Sequence, residues 1–199
     1  MQNKEITTTA NLQAEETTTA LSISNFDHAQ RVAKALSAST MIPAGYQNNI
    51  PNTLVALEMA HRIGASPLMV MQNLHIIHGR PSWSSSFIIA ALNSCGRFSA
   101  LNFESDGKTC TAVATELATG NVIKGPTVSL EMANAEGWAT KAGSKWRTMP
   151  DLMLRYRAAA FFGRLYAPEI LMGMQTAEEV ADIGSTDSSA KVADLNSKL

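Results

Sequence analysis

The sequence predicts an α+β domain: a hairpin and a three-stranded antiparallel meander packed against about five helices, with flexible N- and C-terminal tails. Three observations carry this. Apolar residues recur at helical spacing in the first half of the chain and again after Pro150. Three β-rich runs between residues 98 and 128 are joined by the turn signals Asp106-Gly107 and Thr119-Gly120-Asn121. The two ends are rich in Thr, Ser and Asp and show no amphipathic period. The expected divisions are a disordered arm over 1–23, a core domain over 24–180 and a flexible tail over 181–199.

Taken in order, Asn25 is placed to cap a helix from Phe26 to about Ser37, burying Phe26, Ala29, Val32, Ala33 and Leu36. MIPAGYQNNIPN reads as a loop from its Pro, Gly and Asn content. Asn52 is the expected cap of a second helix, Thr53 to Ile63, which Gly64 terminates. PLMVMQN adds a helical turn or two, with Met69 and Met71 as core filler. NLHIIHGRPSWS reads as a short hairpin: a strand from Leu74 to His78, a turn at Gly79 and Arg80, and an edge or bulged return strand containing Pro81. Trp83 on that strand is assigned to the core. Ser85 or Ser86 starts a helix that closes at Gly96. The meander runs through Phe98–Glu104, Cys110–Leu117 and Asn121–Val128. Ser129 then caps a short helix ending at Gly137, and residues 138–144 read as a mobile basic loop.

The most organised stretch is GSKWRTMPDLMLRYRAAAFFGRLYAPEILMGMQTAEEV, residues 143–180. Pro150 is tolerated in a first helical turn, Asp151 complements the positive end of the helix dipole, and Pro168 stops the pattern. A helix over about 150–166 follows, with Leu154, Ala158, Phe161 and Leu165 on its core stripe. Between residues 141 and 164, Lys141, Lys145, Arg147, Arg155, Arg157 and Arg164 face one acid, Asp151. Two readings are open: a solvated helix face with local ion pairs, or a surface for a polyanion.

The net charge of −1 conceals a division, because residues 1–61 carry −2, residues 62–164 carry +5 and residues 165–199 carry −4. At 199 residues and 45% hydrophobic content the chain suits one soluble domain with a real core. It has no apolar run of about 18 residues, so no membrane-spanning helix is expected. The start, MQNKEITTTANLQ, lacks the apolar region of a secretory leader, so a cytoplasmic location is expected. Cys95 and Cys110 fit neither a disulfide framework nor a zinc pattern, and buried thiols are the expectation. His28, His61, His75 and His78 form no ligand set, since His75 and His78 on one strand would point to opposite faces.

Catalytic patterns are absent from the sequence: there is no nucleophile–base pair, no pair of catalytic carboxylates and no phosphate-binding glycine loop. Ser82, Ser84, Ser85 and Ser86 read as capping and turn residues. The cations suggest other work, since holding a single strand needs positive charge along phosphates and apolar surface beside the bases. Arg80 at the hairpin turn, Lys141, Lys145 and Arg147 before the long helix, and Arg155, Arg157 and Arg164 on it are the candidate DNA-binding residues. Trp146 either packs on a base or sugar, or anchors its loop to the core. Nothing resembles a recognition helix, so binding without base readout would leave Watson–Crick edges free.

The run WRTMPDLMLRYRAAAFFGRLY, closed by MQTAEEV, resembles the C-terminal signature of RecT-type phage single-strand annealing proteins. The likeness extends over about residues 50–180: MAHRIGASPLMVMQN, LHIIHGRPSWS, FIIAALNSCG, the meander, SLEMANAEGW and the basic segment follow one another as in that family. One departure is that the family's Lys-Thr pair is replaced by Arg155, Tyr156 and Arg157. The resemblance implies annealing of complementary DNA strands in phage-type homologous recombination, by homo-oligomeric rings or helical filaments. It implies no need for ATP or a metal, with Mg²⁺ compatible but not required. The implied partners are single-stranded DNA, a phage 5′ to 3′ exonuclease and the host single-strand binding protein. On this expectation Arg157→Ala or Lys145→Ala weakens annealing without unfolding. The competing expectation is an assembly protein whose basic helix docks an acidic protein partner.

Overall fold

The computed structural model describes residues 25–77 and 79–183, and its architecture is α+β: a two-stranded hairpin, a three-stranded antiparallel sheet and, among the described residues, nine helices. The expected arm, His78 and the tail beyond residue 183 lie outside the described residues.

Helix α1 (Phe26–Ser37) begins where expected, with the Asn25 side chain accepting from the His28 N–H at 2.8 Å. Its buried residues are Ala33 and Ser37, whereas Phe26 is 68% exposed rather than buried. Phe26 lies in the first turn, at the mouth of a groove against Leu54, Leu57 and His61, before the helix reaches the core. Helix α2 (Ile50–Ile63) starts earlier than the sequence suggested. Pro51 sits in its first turn, where a missing N–H costs nothing, so Asn49 is the cap and Asn52 supplies the N–H that it accepts. Gly64 ends the helix in the left-handed conformation at φ 65°.

Helix α3 (Pro67–Asn73) leads into β1 (Leu74–Ile77), which pairs antiparallel with β2 (Arg80–Trp83), Leu74 opposite Trp83 and Ile77 opposite Arg80. Pro81 therefore sits in a two-stranded ribbon, where an edge position needs no N–H. Trp83 is fully buried and stacks on Phe87, with ring centroids 4.4 Å apart. Helix α4 (Ser85–Ser94) is capped by Ser84, whose hydroxyl accepts from the Phe87 N–H. Ser84 thus does the capping that the cluster's composition indicated, whereas the buried Ser82 hydroxyl meets no partner among the described residues and the Ser85 hydroxyl donates to Glu178.

The meander consists of β3 (Asn102–Ser105), β4 (Thr109–Thr115) and β5 (Val122–Ser129), in the order β3-β4-β5. Its first strand is shorter than expected, because Phe98 makes only an isolated bridge to Glu116. Ser129 caps α5 (Leu130–Ala135) through the Met132 N–H. Residues 138–144 are no loose loop: Trp138 is buried, and Ser144 donates its hydroxyl to the Trp138 carbonyl at 2.6 Å while capping α6 (Lys145–Thr148). Cys110 is buried and Cys95 exposed, so only one of the two thiols meets the expectation; both are free.

Helix α7 (Pro150–Tyr166) has the predicted limits but not the predicted stripe. Leu154 and Ala158 are buried, yet Leu165 is 59% exposed while Phe162 is fully enclosed. The reason is that α7 is covered on two flanks, by β4 and β5 on one and by α4 on the other. Glycines allow both approaches: a Cβ at Gly125 of β5 would stand 3.3 Å from Phe162, and one at Gly163 would stand 2.7 Å from Leu171 and 3.3 Å from Leu92. Gly163→Val is therefore expected to overpack this junction and lower stability by about 1–3 kcal/mol, read from urea unfolding. A variant as stable as the parent would show that the junction yields freely.

After α7 come α8 (Pro168–Leu171), a turn through Met172 and Gly173, both at positive φ, and α9 (Ala177–Ile183). Helix α9 packs against the hairpin, and Asp182 within it is buried. The packed region thus runs past residue 180, where the expected core ended. No described helix is long and apolar enough to cross a membrane.

Candidate nucleic-acid interface

The capping box Thr176-Ala177-Glu178-Glu179 starts α9: Thr176 Oγ1 accepts from the Glu179 N–H, and Glu179 Oε2 accepts from the Thr176 N–H at 2.9 Å. The Thr176 segment is pinned to the hairpin, since the Trp83 N–H donates to the Gln175 carbonyl. Helix α9 is thereby held against the hairpin, with Glu179 and Asp182 turned inward to the arginines of α7. Glu179 meets Arg164 at 2.8 Å and Arg157 at 3.8 Å, and Asp182 accepts from Arg157 and from the Trp146 indole N–H. Above this node the Arg157 guanidinium lies 3.7 Å from the centroid of the Trp138 ring.

This arrangement corrects the assignment of Arg157 as an exposed phosphate ligand. The residue is 5% exposed and held between two buried carboxylates. Arg164, half-exposed, is engaged by Glu179. Trp146 is buried with its N–H committed to Asp182, so of its two readings the anchor holds. Burial pushes the Asp182 carboxyl above its ordinary range, opposed by the Trp146 hydrogen bond and by the charges of Arg157 and Lys141. Burial likewise draws Arg157 below its ordinary value, opposed by Glu179 and Asp182.

The other cations divide. A cleft of about 680 Å³ runs between β1, the 43–46 loop, the 138–145 segment and α9, and both Lys141 and Lys145 line it. Its walls include Tyr46, His75, Ile76 and Ile77, with Glu178 and Asp182 on the α9 side. Arg80 stands opposite Ile77 on the neighbouring strand and is exposed, but it does not itself line the cleft. Among the described residues no carboxylate pairs with Arg80, Lys141 or Lys145; the Lys141 ammonium donates to the Ala181 carbonyl at 3.1 Å. Glu178, in the α9 wall of the cleft, accepts from the Ser85 N–H and hydroxyl at the start of α4. Arg155 lies over Phe103 of β3, 5.7 Å from the ring centroid, and does not line the cleft; Arg147 is exposed on α6 and does not line it either. The eight predicted residues thus divide into two cleft lysines with Arg80 on the strand beside it, a node of Arg157, Arg164 and Trp146 around the α9 acids, and two outliers.

Glu179, Asp182 and Trp138 were missed by sequence reasoning. The threonine-to-glutamate spacing of the capping box was a visible signal for α9, but nothing local announced which arginines its acids would meet. Among the described residues no group of three His, Cys, Asp or Glu side chains converges to hold a metal. No protein-family model matches the chain, and no curated protein matches it significantly.

Proposed function

We propose that this chain binds single-stranded DNA along the cleft and anneals it to a complementary strand without ATP, as a homo-oligomer, in phage-type recombination in the bacterial cytoplasm. The observation that carries the proposal is the cleft itself, where Lys141 and Lys145 line the same opening as the half-exposed apolar strand Ile76–Ile77, with Arg80 on the strand paired to it. Cations in no ion pair among the described residues attract phosphates, while Ile76 and Ile77 offer sugars and bases apolar surface. The succession α2, α3, hairpin, α4, meander, α5, α6 and α7 is also the order of the segments that resemble RecT-type proteins. One protomer spans only a few nucleotides, so annealing calls for many protomers side by side. The exonuclease and the host single-strand binding protein belong to the proposal as partners.

Three phosphate contacts predict a slope of log affinity against log salt of about −2, or roughly a twentyfold loss between 50 and 200 mM salt. The variant carrying Arg80→Ala, Lys141→Ala and Lys145→Ala is expected to flatten the slope toward zero and to slow annealing of fluorescent complementary oligonucleotides without nucleotide present. Salt-insensitive binding by the parent, or unimpaired annealing by the variant, defeats the proposal. The competing reading, docking of an acidic partner protein on the basic helix, has lost surface: Arg157 and Arg164 of α7 are already engaged by the chain's own Glu179 and Asp182.

A further inference from the structure

We infer that α9 is a releasable strap, an internal polyanion mimic that occupies Arg157, Arg164 and Lys141 until a bound strand displaces it. The inference rests on the proposed reading of the cleft as a strand-binding site and concerns how that site is regulated.

Four observations bear on it. Helix α9 has seven residues, and its buried members are Glu179, Val180 and Asp182, so one valine is its only fully buried apolar anchor. An isolated helix so short has no stability of its own, and its position depends on the contacts it makes. Those contacts are mainly ionic: Arg164 with Glu179, Arg157 with Glu179 and Asp182, and the Trp146 N–H with Asp182, beside the hydrogen bonds of Glu178 to Ser85. A phosphate that replaces the α9 carboxylates gives the arginines a new anion, so the exchange trades one set of ion pairs for another rather than leaving a buried charge unpaired.

The strap also reaches the cleft. Ala177, Glu178, Ala181 and Asp182 form one wall, and the Ala181 carbonyl holds the Lys141 ammonium. A phosphate that takes Lys141 removes that bond, and Arg164, with 43% of its side chain exposed, is open to the next phosphate in exchange for Glu179. Finally, the root of the strap is held apart from its tip: the Trp83 N–H donates to the Gln175 carbonyl, so α9 can swing out beyond residue 176 while the segment before it stays on the hairpin.

The test is hydrogen–deuterium exchange on the full chain, free, with oligo(dT) at low salt, and in high sodium chloride without oligonucleotide, with oligo(dT) anisotropy on the same samples. Amides of residues 177–183 are expected to exchange about tenfold faster with oligo(dT), as a coupling free energy of usual size produces, while residues 153–163 of α7 are unchanged. High salt alone is expected to accelerate the same amides. Unchanged or slower exchange in α9 with oligo(dT) bound overturns the strap. If oligo(dT) does not bind, the proposed function fails, and the salt arm alone decides the ionic latch: faster exchange supports it and unchanged exchange overturns it. Asp182→Asn keeps an acceptor for Trp146 but loses the charge; it is expected to loosen α9 without oligonucleotide and to raise oligo(dT) affinity at least about fivefold. Unaltered α9 exchange in that variant counts against the strap, and should the variant not fold, the parent's two arms still decide.

Discussion

Replacing Arg157 by methionine is expected to lower stability by about 3–5 kcal/mol at neutral pH, because it withdraws the cation between two buried carboxylates. Glu179 keeps Arg164 and its capping bond, whereas Asp182 keeps only the Trp146 N–H and a nearby Lys141. The cation over the Trp138 ring is lost as well. Since small domains have about 5–15 kcal/mol in total, the variant will be marginal.

The pH dependence has a definite sign. The Asp182 carboxyl is already raised in the folded state by burial, and Arg157 is one of the groups holding it down. Without Arg157 it rises further, so the folded variant binds a proton that the unfolded chain, in the ordinary carboxylate range, releases. Stability is then lost as pH rises from that range through the folded value, and regained on acidification. Urea unfolding across pH should show the gap between parent and variant narrowing toward acid. A gap that is constant or widens at low pH would remove Asp182 from the account. The same result would explain any loss of DNA binding by Arg157→Ala as unfolding, contrary to the expectation drawn from the sequence.

Trp83→Ala should cost a similar amount, about 3–5 kcal/mol, through the cavity that an excised core aromatic leaves. Trp83 stacks on Phe87, its backbone N–H holds Gln175, and it bridges to Thr176, so it joins the hairpin, α4 and the root of α9. Its indole N–H meets no acceptor among the described residues. Trp83→Phe keeps most of the ring and gives up no protein hydrogen bond, so it should cost clearly less than the alanine variant. Thermal unfolding of both, with oligo(dT) binding at a temperature where each is folded, checks this. Equal losses for the two variants would mean that the stacked ring is not what Trp83 contributes.

How much was legible in the sequence differs by element. The meander was readable because its turns are written in Asp106-Gly107 and Gly120-Asn121, and helix ends were readable from Asn25, Gly64, Ser129 and Pro150. The cap of α2 was misplaced by three residues because Pro51, read as loop, belongs to the first turn. The candidate site was legible only in part. Lys141 and Lys145 do share a cleft, with Arg80 on the strand beside it, but a count of charges between residues 141 and 164 missed the acids at 179 and 182. Those lie 15 to 25 residues from the arginines they meet, and α9 brings them back across the turn at Met172 and Gly173.

By itself the sequence determined the local matters: most helix caps and the meander's turns, that the middle of the chain is basic, and that the class is α+β. Such features depend on dihedral preferences, capping bonds and periodicity within a few residues. Tertiary structure alone decided which way each arginine faces. A guanidinium is excluded from the interior unless carboxylates accompany it, and whether they do depends on a distant helix rather than on neighbours in the chain. That is why Arg157 lies beneath Trp138 while Lys145, one element earlier in the same basic run, faces the open cleft.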